Sequence, residues 1–122
     1  MEKEEKYKVV MISPSVAVLQ KAIEIQRLKS KDYQNPNSSV KQADHYPHGV
    51  WTIYDMVHQK LIRIKSLLEA IEFDNQNLPN FEGIEDSAVD AINYLSFMVS
   101  YLNKNMDGQD ETKDIFNKKI KK

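Results

Sequence analysis

Cysteine is absent from this chain of 122 residues, which removes disulfides, thiolate metal sites and cysteine nucleophiles together and fits a reducing compartment. Glycine occurs only three times, too rarely for an all-β design built on tight turns. No stretch approaches the roughly 18 apolar residues that a membrane span needs. No apolar signal region stands behind the mixed-charge start Met1–Lys6. The sequence therefore reads as a cytoplasmic chain without a membrane partner. A surplus of one charge is missing as well: 17 Lys and Arg face 18 Asp and Glu, a net charge of −1, so no global attraction to nucleic acid is expected. There is no glycine-rich phosphate loop, no G-x-S-x-G elbow and no H-E-x-x-H pair. Internal repeats and low-complexity segments are missing too.

What is present suits one helical domain with a real core. Residues 1–12 read as a frayed or extended start, with β-branched Tyr7–Ile12 lacking any partner strand in the chain. Ser13-Pro14 is a helix start, serine as cap and proline at the first helical position. That helix is predicted to run to about Lys31, with Val18, Leu19, Ala22, Ile25 and Leu28 inward and Glu24, Arg27, Lys29 and Lys31 charged. The turn formers from Asp32 to Ser39 begin a long connection to Gly49, and long loops in small domains are often functional. His45 and His48 are spaced for a metal, but without a cysteine or paired motif they read as surface histidines.

A second helix is predicted over about Val50 to Glu72, with Val50, Ile53, Tyr54, Val57, Leu61, Ile64, Leu68 and Ile71 in a 3-4 repeat. Met56, Lys60, Arg63 and Leu67 flank that seam, where basic side chains either snorkel towards a groove or stay solvated. A third helix follows the turn at 74–80 and is predicted to end near Asn103–Asp107, with Gly108 as a stop. Its apolar stripe is Ile84, Ala88, Ala91, Ile92, Leu95, Met98, Val99 and Leu102, expected to face the core. Asp86, Asp90 and Asn93 stand at i, i+4 and i+7 on another face. The helix dipole accounts for Glu82, Glu85 and Asp86 at the start, but not for Asp90 a turn further in. Tyr94, Phe97 and Tyr101 continue or flank that face, which points to a ligand or more protein covering it. A short last helix is expected within 108–122, ending in a basic tail.

Two carboxylates one turn apart suit a hard divalent cation such as Mg²⁺, which keeps waters and engages phosphates. Lys60 and Arg63 are suited to the remaining phosphate charge, and the aromatic side chains to stacking a base.

Lys31-Asp32-Tyr33, then Lys60-Leu61-Ile62-Arg63-Ile64, then Glu85 to Tyr94 with its D-x-x-x-D-x-x-N-Y block resembles the nucleotide modification associated domain 1 family. That mostly phage-encoded family is similar to the MazG-like all-α nucleotide pyrophosphohydrolases. The resemblance covers roughly Leu19 to Tyr101. It implies a self-assembling helical bundle that binds nucleotides between helices, with Mg²⁺ as the usual ion. Asp86 and Asp90 would then face the metal as catalytic carboxylates, with help from Glu24. Lys60 and Arg63 would face phosphate, and Lys31, Asp32, Tyr33, Asn93 and Tyr94 would complete the substrate site. The sequence departs from the MazG-like pattern of E-x-x-E paired with E-x-x-D. The third helix has Ser87 three before Asp90, and the first helix has Leu28 one turn after Glu24.

The expectation is an all-α bundle of three main helices plus a short C-terminal one, in a single domain over 1–122, assembling as a homo-oligomer. Three functions compete: Mg²⁺-dependent hydrolysis of a nucleoside triphosphate or modified nucleotide; non-catalytic sequestration of a nucleotide or signalling nucleotide; and a structural bundle. In the last, Asp86 and Asp90 cap and solubilise a helix, or salt-bridge Lys60 and Arg63.

Overall fold

In the computed structural model, which describes residues 13–33, 35–73 and 79–121 with the side chains of 33, 79 and 80 excepted, Ser13 caps the first helix. Its hydroxyl accepts from the Val16 N–H at 3.2 Å and its carbonyl from the Ala17 N–H at 3.0 Å, satisfying amides that a helix start leaves unpaired. Helix α1 then runs Pro14–Tyr33. A short 3-10 turn follows at Gln42–His45, then α2 at Val50–Phe73 and α3 at Pro79–Leu102. No strand occurs among the described residues; one isolated antiparallel bridge joins Lys113 to Lys119. The chain is thus all-α. The extended segment expected at 1–12 lies outside the described residues.

Helices α2 and α3 pair antiparallel. Ile53 meets Tyr101 in the core, Lys60 meets Asp90, and Leu67 meets Gly83. Helix α1 lies against α3, tied to it by Lys21 to Glu85 and by Gln26 to Asn93 and Ser96. Those partners rise together along both helices, so α1 and α3 point the same way. Helix α3 is therefore the middle layer. It buries Ser87 and Ala91 on one line and Val89 and Asn93 on another, with α1 bonded at the second.

The core sits at one end of the hairpin. Tyr46, Val50, Ile53, Tyr101 and Met106 form it, with Met56, Tyr94, Phe97, Met98 and Ile115 packed alongside. The Tyr46 and Tyr101 rings meet edge to face at 6.4 Å and 82°, the arrangement that ring quadrupoles favour. Ile53 is fully buried, worth about 2–3 kcal/mol of transfer free energy.

Three expectations need correction. The C-terminal residues form no helix among those described. Asp110 and Asp114 instead accept from the amides of Thr112, Phe116 and Lys118, turns that compete with helix, and Asn117 adopts φ 61°. This tail folds over the start of α2, where the Ile115 carbonyl accepts from the Val50 N–H at 2.9 Å. Gly49, at φ 60°, lies so close that any side chain would strike the Ile115 carbonyl. Second, α3 ends at Leu102, one residue short of the expected 103–107, and the left-handed stop is Lys104 rather than Gly108. Lys104 takes φ 59°, its N–H bonds the Tyr101 carbonyl, and the Asn105 N–H bonds that of Ser100, closing a Schellman turn.

The third correction concerns faces. On α3, the expected core residues Leu95, Val99 and Leu102 are exposed, whereas Asn93 and Tyr101 are buried. On α2, Tyr54, Leu61 and Leu68 are exposed, while Lys60, Ile64 and Leu67 lie half-buried in the seam. On α1, Leu19 and Leu28 are exposed, and the inward line is Val18, Ala22, Ile25 and Gln26. Because α3 packs on two sides, the outer edge of its wide apolar stripe, Leu95, Val99 and Leu102, points at neither neighbour, while Ala91 and Met98 of the same stripe pack inward.

Candidate functional site

Asp90 lies where the three helices converge. Lys60 of α2 reaches its Oδ2 at 3.1 Å, and both side chains are 29% exposed. Lys29 of α1 approaches Oδ1 at 3.9 Å and is 61% exposed. Both carboxylate oxygens are thus faced by ammonium groups from the flanking helices. A small cavity of about 30 Å³ opens beside them, lined by Gln26, Lys29, Asp90, Asn93, Tyr94 and Phe97. It holds one water-sized group, so a larger ligand must lie along the groove above it. Tyr94 and Phe97 form one wall, their rings 6.3 Å apart and tilted 64°.

Beneath the groove a polar tie joins α1 to α3. Asn93 is 8% exposed. Its Nδ2 donates to the Ala22 carbonyl at 3.1 Å, and its Oδ1 accepts from Gln26 Nε2 at 3.1 Å. Gln26 also donates to Ser96 Oγ at 2.9 Å, and Ser96 donates to the Asn93 carbonyl at 2.7 Å. Asn93 therefore has both ends of its amide used within the chain, as a buried amide requires. It fixes the register of α1, and with it the position of Lys29.

The remaining expected site residues are dispersed. Asp86 is exposed a turn before Asp90, and Glu24 is exposed on α1. Arg63 is exposed on α2 and makes no ion pair among the described residues. Lys31 and Asp32 are exposed in the last turn of α1 and do not join the ion pairs at Asp90; the Tyr33 side chain lies outside the described residues. At the start of α3, Glu85 accepts from Lys21 at 2.7 Å. That hydrogen bond holds the Lys21 ammonium above its ordinary range, and the charges of Asp86 and Glu82 add to the effect. Of the acids at this helix start, Glu85 thus ties α1 to α3.

Among the described residues no three His, Cys, Asp or Glu side chains converge on a metal position. Asp90 is engaged by lysines, and Asp86 and Glu24 are exposed. These donors do not fit a Mg²⁺ site within one chain. What the arrangement offers is two cations about one anion, with amides and aromatic edges close by.

Sequence reasoning passed over Gln26 and Lys29 as site residues. A signal existed: Ala22, Gln26 and Lys29 stand at i, i+4 and i+7, one helical line whose first member is buried. A polar pair continuing a buried small residue marks a face turned towards a neighbour. Comparison with the models of known protein families, with curated proteins and with solved structures finds no match for the chain.

Proposed function

We propose that the chain binds a phosphorylated small molecule of nucleotide class in the groove between α1, α2 and α3, without needing a metal. Phosphate would rest on Lys29 and Lys60, and a base against Tyr94 and Phe97. The observation that carries this reading is the excess of positive charge at Asp90: two ammonium groups meet one carboxylate. An anion arriving there finds donors already held by the helices, so little ordering entropy is lost on binding. The aromatic wall supplies stacking surface. Hydrolysis with Mg²⁺, which the family resemblance implies, is the competing reading.

Calorimetry with a panel of nucleoside mono-, di- and triphosphates, with and without EDTA, tests this. The expected result is binding that survives EDTA, weakens as salt rises and yields no product. Product formed only with Mg²⁺ would replace this reading with hydrolysis. Failure of every nucleotide and of pyrophosphate to bind would leave Asp90 a structural ion pair.

We also propose that the chain self-assembles through the outer stripe of α3. The support is the row Leu95, Val99 and Leu102, which are 47%, 57% and 44% exposed at 3-4 spacing, an aligned apolar edge of the kind that marks interaction surfaces. Light scattering of Val99→Lys is expected to give a smaller particle than the parent chain. An unchanged mass would remove this interface.

A further inference from the structure

A second, larger cavity of about 390 Å³ lies at the other end of α3, between the loop before α2 and the C-terminal tail. Its size falls in the usual range for small-molecule sites. Its lining includes Asp44, Tyr46, Tyr101, Asp110 and Lys113. Two of these are buried rings, with Tyr101 only 3% exposed. The Tyr101 hydroxyl makes no hydrogen bond among the described residues and is not one of the sealed polar atoms left without a partner, so its oxygen opens onto this cavity. Burial first, then the charges of Asp114 and Asp110, push its pKa up, so the phenol oxygen looks into a region of negative potential.

The charges around it are rigidly placed. Asp110 Oδ1 accepts from the Thr112 amide at 2.8 Å and from the Thr112 hydroxyl at 2.6 Å. Those bonds hold Asp110 below the usual carboxylate range and keep it anionic. Asp44 Oδ2 accepts from the Lys41 amide at 2.8 Å. Lining carboxylates outnumber the one lining ammonium, Lys113, by two to one.

We propose that this cavity binds a small organic cation, an alkylammonium group of the amine or polyamine class. The ammonium would sit between Asp44 and Asp110 and hydrogen-bond the free Tyr101 hydroxyl. Its carbon chain would lie on the rings of Tyr46 and Tyr101, whose faces attract cations. A bare metal ion fits less well, since no third carboxylate or histidine converges here among the described residues and the space far exceeds an ion. The site stands apart from the groove at Asp90, so its fate is independent of the nucleotide reading.

Calorimetry and amide chemical-shift mapping on the full chain test the proposal, with 1,4-diaminobutane and spermidine as probes and 1,4-butanediol as the neutral control. The amines are expected to bind and to shift amides around Ala43, Gln109 and Asn117, while the diol does not. Tyr101→Phe keeps the ring and removes the hydroxyl, and should weaken amine binding about five- to tenfold. Asp110→Asn keeps an acceptor for Thr112 and removes the charge, and should weaken it further. Circular dichroism of both variants checks that the helices are retained. Absence of amine binding, equal binding of the diol, or parent affinity in both variants would overturn the proposal.

Discussion

Asp90→Asn separates the possible roles of the groove because it removes one charge and almost no volume. In the parent chain Lys60 lies 3.1 Å and Lys29 3.9 Å from the carboxylate oxygens. At an effective dielectric near 20, these distances correspond to gross attractions of about 5 and about 4 kcal/mol. Most of each is offset by desolvation and by side-chain ordering. The Lys29 contact is largely exposed and should contribute no more than about 0.5 kcal/mol. Lys60 and Asp90 are each 29% exposed, between the exposed and buried limits, so their pair should contribute about 1–2 kcal/mol. The urea midpoint of Asp90→Asn is therefore expected to fall by about 0.5–1.5 M. A double-mutant cycle with Lys60→Met should return a coupling near 1 kcal/mol. Nucleotide binding should move the other way, strengthening about three- to tenfold as two ammonium groups lose their internal counter-ion. Lost binding in Asp90→Asn with an unchanged urea midpoint would refute this reasoning, since Asp90 would then be holding ligand or metal rather than lysine.

Other consequences are as direct. Asn93→Leu removes the second donor to the Ala22 carbonyl, which keeps its helical bond, and takes one of two acceptors from Gln26; denaturant melts should show a loss of about 1–2 kcal/mol. Lys104→Gly relieves a left-handed residue at the end of α3 and should stabilise the chain by about 0.5–1 kcal/mol in the same assay. The pKa of Tyr101 is raised in the folded chain. Its contribution to stability is therefore complete below the ordinary tyrosine value near 10 and is lost as pH climbs through the raised folded value. Alkaline melts should show that loss in the parent chain and a smaller one in Tyr101→Phe.

Local signals at the helix starts carry directly into the structure. Ser13-Pro14 and the run from Val50 set two helix starts that the structure places at the same residues, because caps and periodicity act within a turn or two. Direction was not legible. Periodicity shows that Leu95, Val99 and Leu102 share a line but not what lies opposite, and α3 turned its polar line to α1 because Asn93 finds Ala22 and Gln26 there. In the tail, the spacing of Ile115, Phe116 and Ile120 suggests a helix that does not form. Its Asp-x-Thr at Asp110 and its Asp114 were available as turn signals, and side-chain acceptors won over helix there. Of the alternatives left open for the acids, the geometry has Asp90 with Lys60, whereas Arg63 pairs with nothing among the described residues.

The bond from Val50 to Ile115 couples the first amide of α2 to a segment far along the chain. The α2–α3 hairpin rests on contacts between successive helices and needs no help from that segment to begin forming. Docking of the tail is a later and weaker closure, and it alone protects this amide along with Ala43, which donates to the Asp107 carbonyl at 3.0 Å. Hydrogen exchange at these two positions should therefore follow the opening of the tail and run ahead of exchange at Ile53 or Val57. The amine-sized cavity has this tail as one wall, so a ligand bound there would slow that exchange and leave the rest of the helices unchanged.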